Sequence, residues 1–238
     1  GQHGTNEIAI TAFRVPTDEA LTYWEKRFTR LNVKHDGIQE QFGKKILSFV
    51  DFDDQHYQLI SDENNEGVAS GTPWQNGPIP LEYAITGLGP ITIRIANFDL
   101  FQQVLEKVFH FKLTASNEAT HLFEVAEGGN GASVIVVHDE TSPVSRQGYG
   151  TVHHAAFRVE DKEALAKWQQ QIEAFGFQTS GFVDRYFFGS LYTRVAPQIL
   201  FELATDGPGF MGDEPYETLG EKLSLPPFFE AKRAQIEQ

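Results

Sequence analysis

Two side chains in the C-terminal third of the chain have the chemistry of metal ligands. His154 offers an imidazole nitrogen and Glu202 a carboxylate oxygen, a pair that suits iron, manganese or zinc. Their placement gains meaning from an internal repeat. The stretch from Gly150 to Asp206 copies an earlier one almost without gaps: Phe13-Arg14-Val15 matches Phe157-Arg158-Val159, Trp24 matches Trp168, and Tyr57-Gln58-Leu59 matches Phe201-Glu202-Leu203, each pair 144 positions apart. Under that alignment His154 stands where the earlier copy has Ile10, and Glu202 where it has Gln58. A middle copy, opened by Ile91-Thr92-Ile93-Arg94-Ile95 and closed by Ser133 to Asp139, has Pro90 and Ile135 at the same places. Ligand-type residues thus occur at the two edges of one copy and are missing from the other two.

The elements that must hold these residues follow from the order of signals in each copy. A strand of β-branched and aromatic residues comes first, then an acid-rich helix start, then apolar residues at helical spacing, then two or three strands separated by Gly, Asn or Asp turns. In the last copy the helix is expected over Asp161 to Phe175, with Leu165, Trp168, Ile172 and Phe175 on one face, followed by strands near Gln178–Val183, Phe187–Arg194 and Gln198–Thr205. The middle helix is expected over Phe98 to His110. The unit is βαβββ and the fold class α+β, with mixed curved sheets and helices outside. The expected organisation is residues 1–140 as two modules without ligands, 141–206 as the ligand-bearing module, and 207–238 as a tail whose short helix, from Phe228, caps apolar surface. His154 is expected within its strand, and Glu202 in a strand that is largely buried. A buried carboxylate is costly without a cation or hydrogen bonds, and a metal would satisfy it.

Bulk composition bounds the function. The 238 residues are 40% hydrophobic and 22% charged, as in an ordinary globular protein. A net charge of −14 repels phosphate backbones and anionic lipid, which excludes nucleic acid and membrane surfaces as natural partners. The chain has no cysteine, so any metal falls to nitrogen and oxygen ligands. No apolar run approaches the roughly 20 residues needed to span a bilayer, and no charged-then-apolar leader opens the chain; the cytoplasm is the expected location.

Longer motifs carry a family resemblance: Gly150-Thr151-Val152-His153-His154-Ala155-Ala156-Phe157-Arg158-Val159, Asp184-Arg185-Tyr186-Phe187-Phe188-Gly189-Ser190-Leu191-Tyr192, Leu200-Phe201-Glu202-Leu203-Ala204-Thr205-Asp206, and Leu219-Gly220-Glu221-Lys222-Leu223. With these the chain resembles the vicinal oxygen chelate superfamily, and within it the dioxygenases that open hydroquinone and catechol rings. The resemblance implies Fe(II), with Mn(II), Zn(II) or Ni(II) as other occupants, held by two His and one Glu. His154 and Glu202 match two of those ligands. His153, Arg185 and Tyr192 match the groups that handle substrate hydroxyls or dioxygen. In the family the remaining His opens the first of four modules, and the expectation is that this module precedes the three seen here. The expected partners are a small aromatic substrate, dioxygen and, for a chain with an unpaired module, a second copy in a homodimer that is weak or inactive as a dioxygenase.

Other readings stay open. A His-His pair can be a packed structural pair, and a lone strand Glu can face solvent. Arg185 can be a turn residue tied to Asp184, and Tyr192 a core aromatic. A glyoxalase-like isomerase or lyase would keep the metal without the redox chemistry, and a binding protein would sequester an aromatic compound without turnover. His3, His35, His56, His110, His121 and His138 show no paired spacing and are expected in structural or surface roles. Gly128-Gly129-Asn130-Gly131 is expected to be a hairpin turn.

Overall fold

The computed structural model describes residues 1–238. Its elements fall into three consecutive βαβββ sets, as expected. The first comprises β1 (Glu7–Val15), α1 (Asp18–Leu31), β2 (Lys34–Gln41), β3 (Lys44–Val50) and β4 (His56–Ser61). The second comprises β5 (Gly87–Ile95), α2 (Phe98–Gln103), β6 (Lys112–Asn117), β7 (Thr120–Glu124) and β8 (Ser133–His138). The third comprises β9 (Ala155–Val159), α3 (Lys162–Ala174), β10 (Val183–Asp184), β11 (Phe188–Ala196) and β12 (Ile199–Pro208). The helices start on matching caps: the Thr17 hydroxyl accepts from the Ala20 amide, Asn97 from Leu100 and Asp161 from Ala164, each satisfying an amide that has no partner within its helix.

The first two sets join edge to edge in an eight-stranded sheet of order β2-β3-β4-β1-β5-β8-β7-β6. Within each set the first and last strands pair in parallel, β1 with β4 and β5 with β8, while β1 and β5 run antiparallel across the junction. Side chains alternate across these strands. Leu47, Leu59 and Val15 therefore meet Ala20, Leu21 and Phe28 of α1 in one core cluster, while Ala12, Ile46 and Ile60 form another. Gln58 shares the parity of Ile60 and is buried. A buried amide fastens the two sets: within the first, Arg14 Nε donates to both oxygens of Asp62 at 3.0 and 2.8 Å, and from the second, Asn130 Nδ2 in the β7–β8 turn donates to Asp62 at 2.8 Å and to the Ser61 carbonyl at 3.0 Å. The glycine-rich turn is thus a hairpin turn, as expected, that also inserts a buried amide into the neighbouring set.

The third set forms a four-stranded sheet of order β10-β11-β12-β9. Two compact units result, one of residues 1–155 with 195–200 and the other of 156–194 with 201–238. Several boundaries differ from expectation. The strand expected over 178–183 reduces to Val183–Asp184 and an isolated bridge between Thr179 and Thr193, because Gly181 takes φ +67, outside the extended region. The middle helix passes at Val104 into a π turn that ends at Val108, with the Phe109 amide bonded to the Val104 carbonyl at 3.3 Å. In the tail, Pro227–Lys232 is a 3₁₀ helix and Arg233–Ile236 a single α turn. The rings of Phe228 and Phe229 meet at 4.6 Å, tilted by 56°, and stay exposed. No helix is long and apolar enough to cross a membrane.

Candidate metal centre

His153 and His154 lie on the connection that leads into β9. His154 sits one residue before the strand and not within it, since β9 begins at Ala155. The preceding loop is held at several points. The Gly148 amide donates to the Thr151 hydroxyl at 2.9 Å, and Gln147 Nε2 donates to the His153 carbonyl at 2.9 Å. Gly150 adopts φ +77 with the Asp53 carbonyl 2.3 Å from where a Cβ would stand, so only glycine fits. Tyr149 donates its hydroxyl to the Asp53 carboxylate. The two imidazoles meet Nδ1 to Nδ1 at 2.9 Å with their rings near perpendicular. One Nδ1 must donate and the other accept, which sets the tautomer of one ring against that of the other. His153 is exposed and His154 half-buried.

Glu202 lies in the middle of β12. Phe201 and Leu203 point to one face of the sheet, where Phe201 packs edge-on against Phe157 at 4.9 Å, and Glu202 points to the other. The residue is 3% exposed. Two hydroxyls converge on the same oxygen, Oε1: Tyr192 donates at 2.9 Å, and Ser190, fully buried, makes a short contact. Both come from β11, two residues apart and hence on one face. Arg185 completes the chain of contacts, its Nε donating to the Tyr192 hydroxyl at 3.3 Å while the guanidinium lies 5.2 Å from the centre of the tyrosine ring. Arg185 is therefore not merely a turn residue tied to Asp184. That role belongs to the backbone, where Asp184 accepts from the Tyr186 amide at 2.8 Å.

Of the residues singled out in the sequence, Arg185, Tyr192 and Glu202 are brought together in one hydrogen-bonded series, and His153 and His154 in another. Ser190 was missed. Its signal was present in the repeat: Ser190 replaces Ile46, Tyr192 replaces Ser48 and Arg185 replaces Gln41 at the same 144-residue offset. As a donor set, these residues fit a divalent metal. A carboxylate this deeply buried is stable only with hydrogen bonds or a cation, and ligating carboxylates are themselves held by neighbouring hydrogen bonds, as Ser190 and Tyr192 hold Glu202.

Comparison with known proteins adds the family. The pattern described as "Glyoxalase/Bleomycin resistance protein/Dioxygenase superfamily" matches residues 87–210. The chain is 41% identical to a protein of Bacillus subtilis (strain 168) named "Putative ring-cleaving dioxygenase MhqA", over 98% of this chain and 75% of that protein. It is 27% identical to a "Chlorohydroquinone/hydroquinone 1,2-dioxygenase" of Sphingobium indicum, over 99% of this chain and 73% of that one. Among solved structures, that of a "putative dioxygenase from Bacillus subtilis" superposes with a TM-score of 0.87 at 32% identity, covering 100% of this chain and 74% of its own.

Proposed function

The chain belongs to the glyoxalase/bleomycin resistance protein/dioxygenase superfamily, and on that premise we propose that it serves a metal-dependent, extradiol-type dioxygenase acting on hydroquinone- or catechol-like rings. The observation that carries the reading is Glu202: a buried carboxylate, braced by two hydroxyls, at a repeat position where the first copy has the amide Gln58. The names of the relatives at 41% and 27% identity supply the reaction class.

In this reading His154 and Glu202 hold Fe(II), the metal being inferred from the family. A redox-active metal held there would supply the activation of dioxygen toward the ring. The protein's own residues do the rest. His153 takes or returns the proton of a substrate hydroxyl at its imidazole, as a general base and then acid. Ser190 and Tyr192 fix the orientation of the Glu202 carboxylate, and Arg185 steadies negative charge that develops beside Tyr192. Overall, one ring carbon–carbon bond beside a hydroxyl-bearing carbon and the oxygen–oxygen bond break, and both oxygen atoms enter the opened product. No external reductant is consumed.

The test is oxygen uptake by the full-length protein, loaded with Fe(II) under anaerobic conditions, against a panel of hydroquinones and catechols. One dioxygen consumed per ring opened is expected. Turnover of a hemithioacetal or other non-aromatic substrate in the absence of dioxygen, with no ring opening in the panel, would overturn it in favour of an isomerase.

A further inference from the structure

We propose that His3, Asp54 and His56 form a second divalent-cation site, of the kind zinc occupies, separate from His154 and Glu202. One ligand atom from each of the three lies within 4.8 Å of the others. Two imidazoles and a carboxylate are a donor set that zinc takes readily, leaving a fourth tetrahedral position for water. Both histidines were expected in structural or surface roles, since 53 positions separate His3 from His56 and only the fold joins them. Asp51 Oδ1 accepts from the amides of Asp53 and Gln55 at 2.9 and 3.0 Å, fixing the turn between β3 and β4. Asp54 projects from that turn at φ +64 and His56 opens β4. The N-terminal segment is anchored independently, by paired backbone bonds of 2.8 and 2.9 Å between Gln2 and Arg146.

What distinguishes this group from a chance surface cluster is the orientation of His3. Its Nδ1 contacts Glu7 Oε2 at 3.0 Å. Glu7 is buried, and its other oxygen accepts from the Gly4 amide at 3.2 Å and from Arg94 at 3.4 Å. A carboxylate that accepts a hydrogen bond from Nδ1 is the partner that orients a metal-ligating histidine. Nε2 donates to the Asp54 carbonyl oxygen at 2.9 Å, a hydrogen bond that a bound cation would replace. Zinc needs its donors roughly 3.3 to 3.6 Å apart, from bonds of about 2.0 to 2.2 Å, and the closing movement falls to Asp54 and His56, both exposed. An occupied site would stiffen the turn whose Asp53 supports Tyr149 and Gly150, and through them the loop of His153 and His154.

Zinc titration of the metal-free full-length protein tests this, with binding read by equilibrium dialysis and by the visible bands of Co(II) as a substitute. The Glu202→Gln variant serves as the background, so that the count does not depend on the other site or on activity. One equivalent bound in that background is expected, falling to none on adding His56→Ala or Asp54→Asn, with an unchanged circular dichroism spectrum. Glu7→Gln, which removes the charge behind His3, should weaken binding by roughly 10- to 100-fold. Absence of zinc binding in the background overturns the proposal. So does a stoichiometry that neither His56→Ala nor Asp54→Asn lowers.

Discussion

The first and third copies of the repeat place a hydrogen-bonded pair at the same cross-strand position, and the direction of the bond is reversed. In the first, Gln58 on β4 faces Ser48 on β3, and its amide donates to the serine oxygen at 3.2 Å. In the third, the tyrosine that replaces Ser48 donates to the glutamate that replaces Gln58, at 2.9 Å. The middle copy has Leu122 opposite Ile135 at the corresponding place, and no polar group at all. One scaffold therefore tolerates an apolar pair, a neutral polar pair and a charged one. The neutral pair satisfies itself. The charged pair recruits a second hydroxyl from Ser190, and it has most to gain from a cation, because the energetic cost of burial rises steeply from amide to carboxylate.

The sharpest way to break this contrast is to restore the first copy's residue in the third. Glu202→Gln should abolish ring cleavage and remove most bound iron while leaving the fold intact, since Gln58 sits buried at the same place in a sound strand. His154→Ala should do the same from the other ligand. Iron analysis by plasma emission, alongside oxygen uptake, checks both. Stoichiometric iron in both variants would remove the assignment.

Smaller changes sharpen the comparison by separating the groups around Glu202. Ser190→Ala deletes one of the two hydroxyls on Oε1 and should weaken iron binding by roughly 10- to 100-fold, as loss of an outer partner of a ligand does. Tyr192→Phe should retain iron at saturating concentration and lower turnover by roughly 10²-fold or more, if its hydroxyl also moves a proton. A kcat unchanged at saturating iron would confine Tyr192 to bracing the carboxylate. Separate measurement of iron affinity and kcat distinguishes the two outcomes.

Much of this was legible in the sequence, and the reasons are physical. The βαβββ order could be read because strands and helices impose different apolar periods, and because Thr17, Asn97 and Asp161 each cap a helix with a side-chain oxygen. Glu202 stood out as a departure from the repeat, and Arg185 and Tyr192 through the family resemblance alone. Ser190 did not, because a serine in an apolar strand is ordinary until its cross-strand neighbour is known. The boundary at His154 was misplaced by one residue, since nothing in a run of β-branched and small residues marks where pairing begins. The convergence of His3 with Asp54 and His56 was invisible, because it depends on a turn and an N-terminal segment that meet only in the folded chain.

The weakest expected effect is the most discriminating test of whether the copies differ only at the metal residues. All three copies carry an Arg–Asp pair at matching places: Arg14 with Asp62 at 2.8 Å, Arg94 with Asp139 at 3.7 Å, and Arg158 with Asp206 at 2.7 Å. The side chains of the first pair are 4% and 10% exposed, and those of the last 78% and 64%. Arg14 also donates to the Val68 and Ala69 carbonyls at 2.9 and 3.2 Å. Arg14→Ala therefore strands a buried carboxylate and two carbonyls and should cost about 3 to 5 kcal/mol. Arg158→Ala breaks an equally short contact in water, where screening and side-chain entropy leave about 0 to 1 kcal/mol. Urea unfolding of the two variants measures the difference. Equal losses would mean that the pair is held by the repeat geometry itself, and that burial is not what separates the copies.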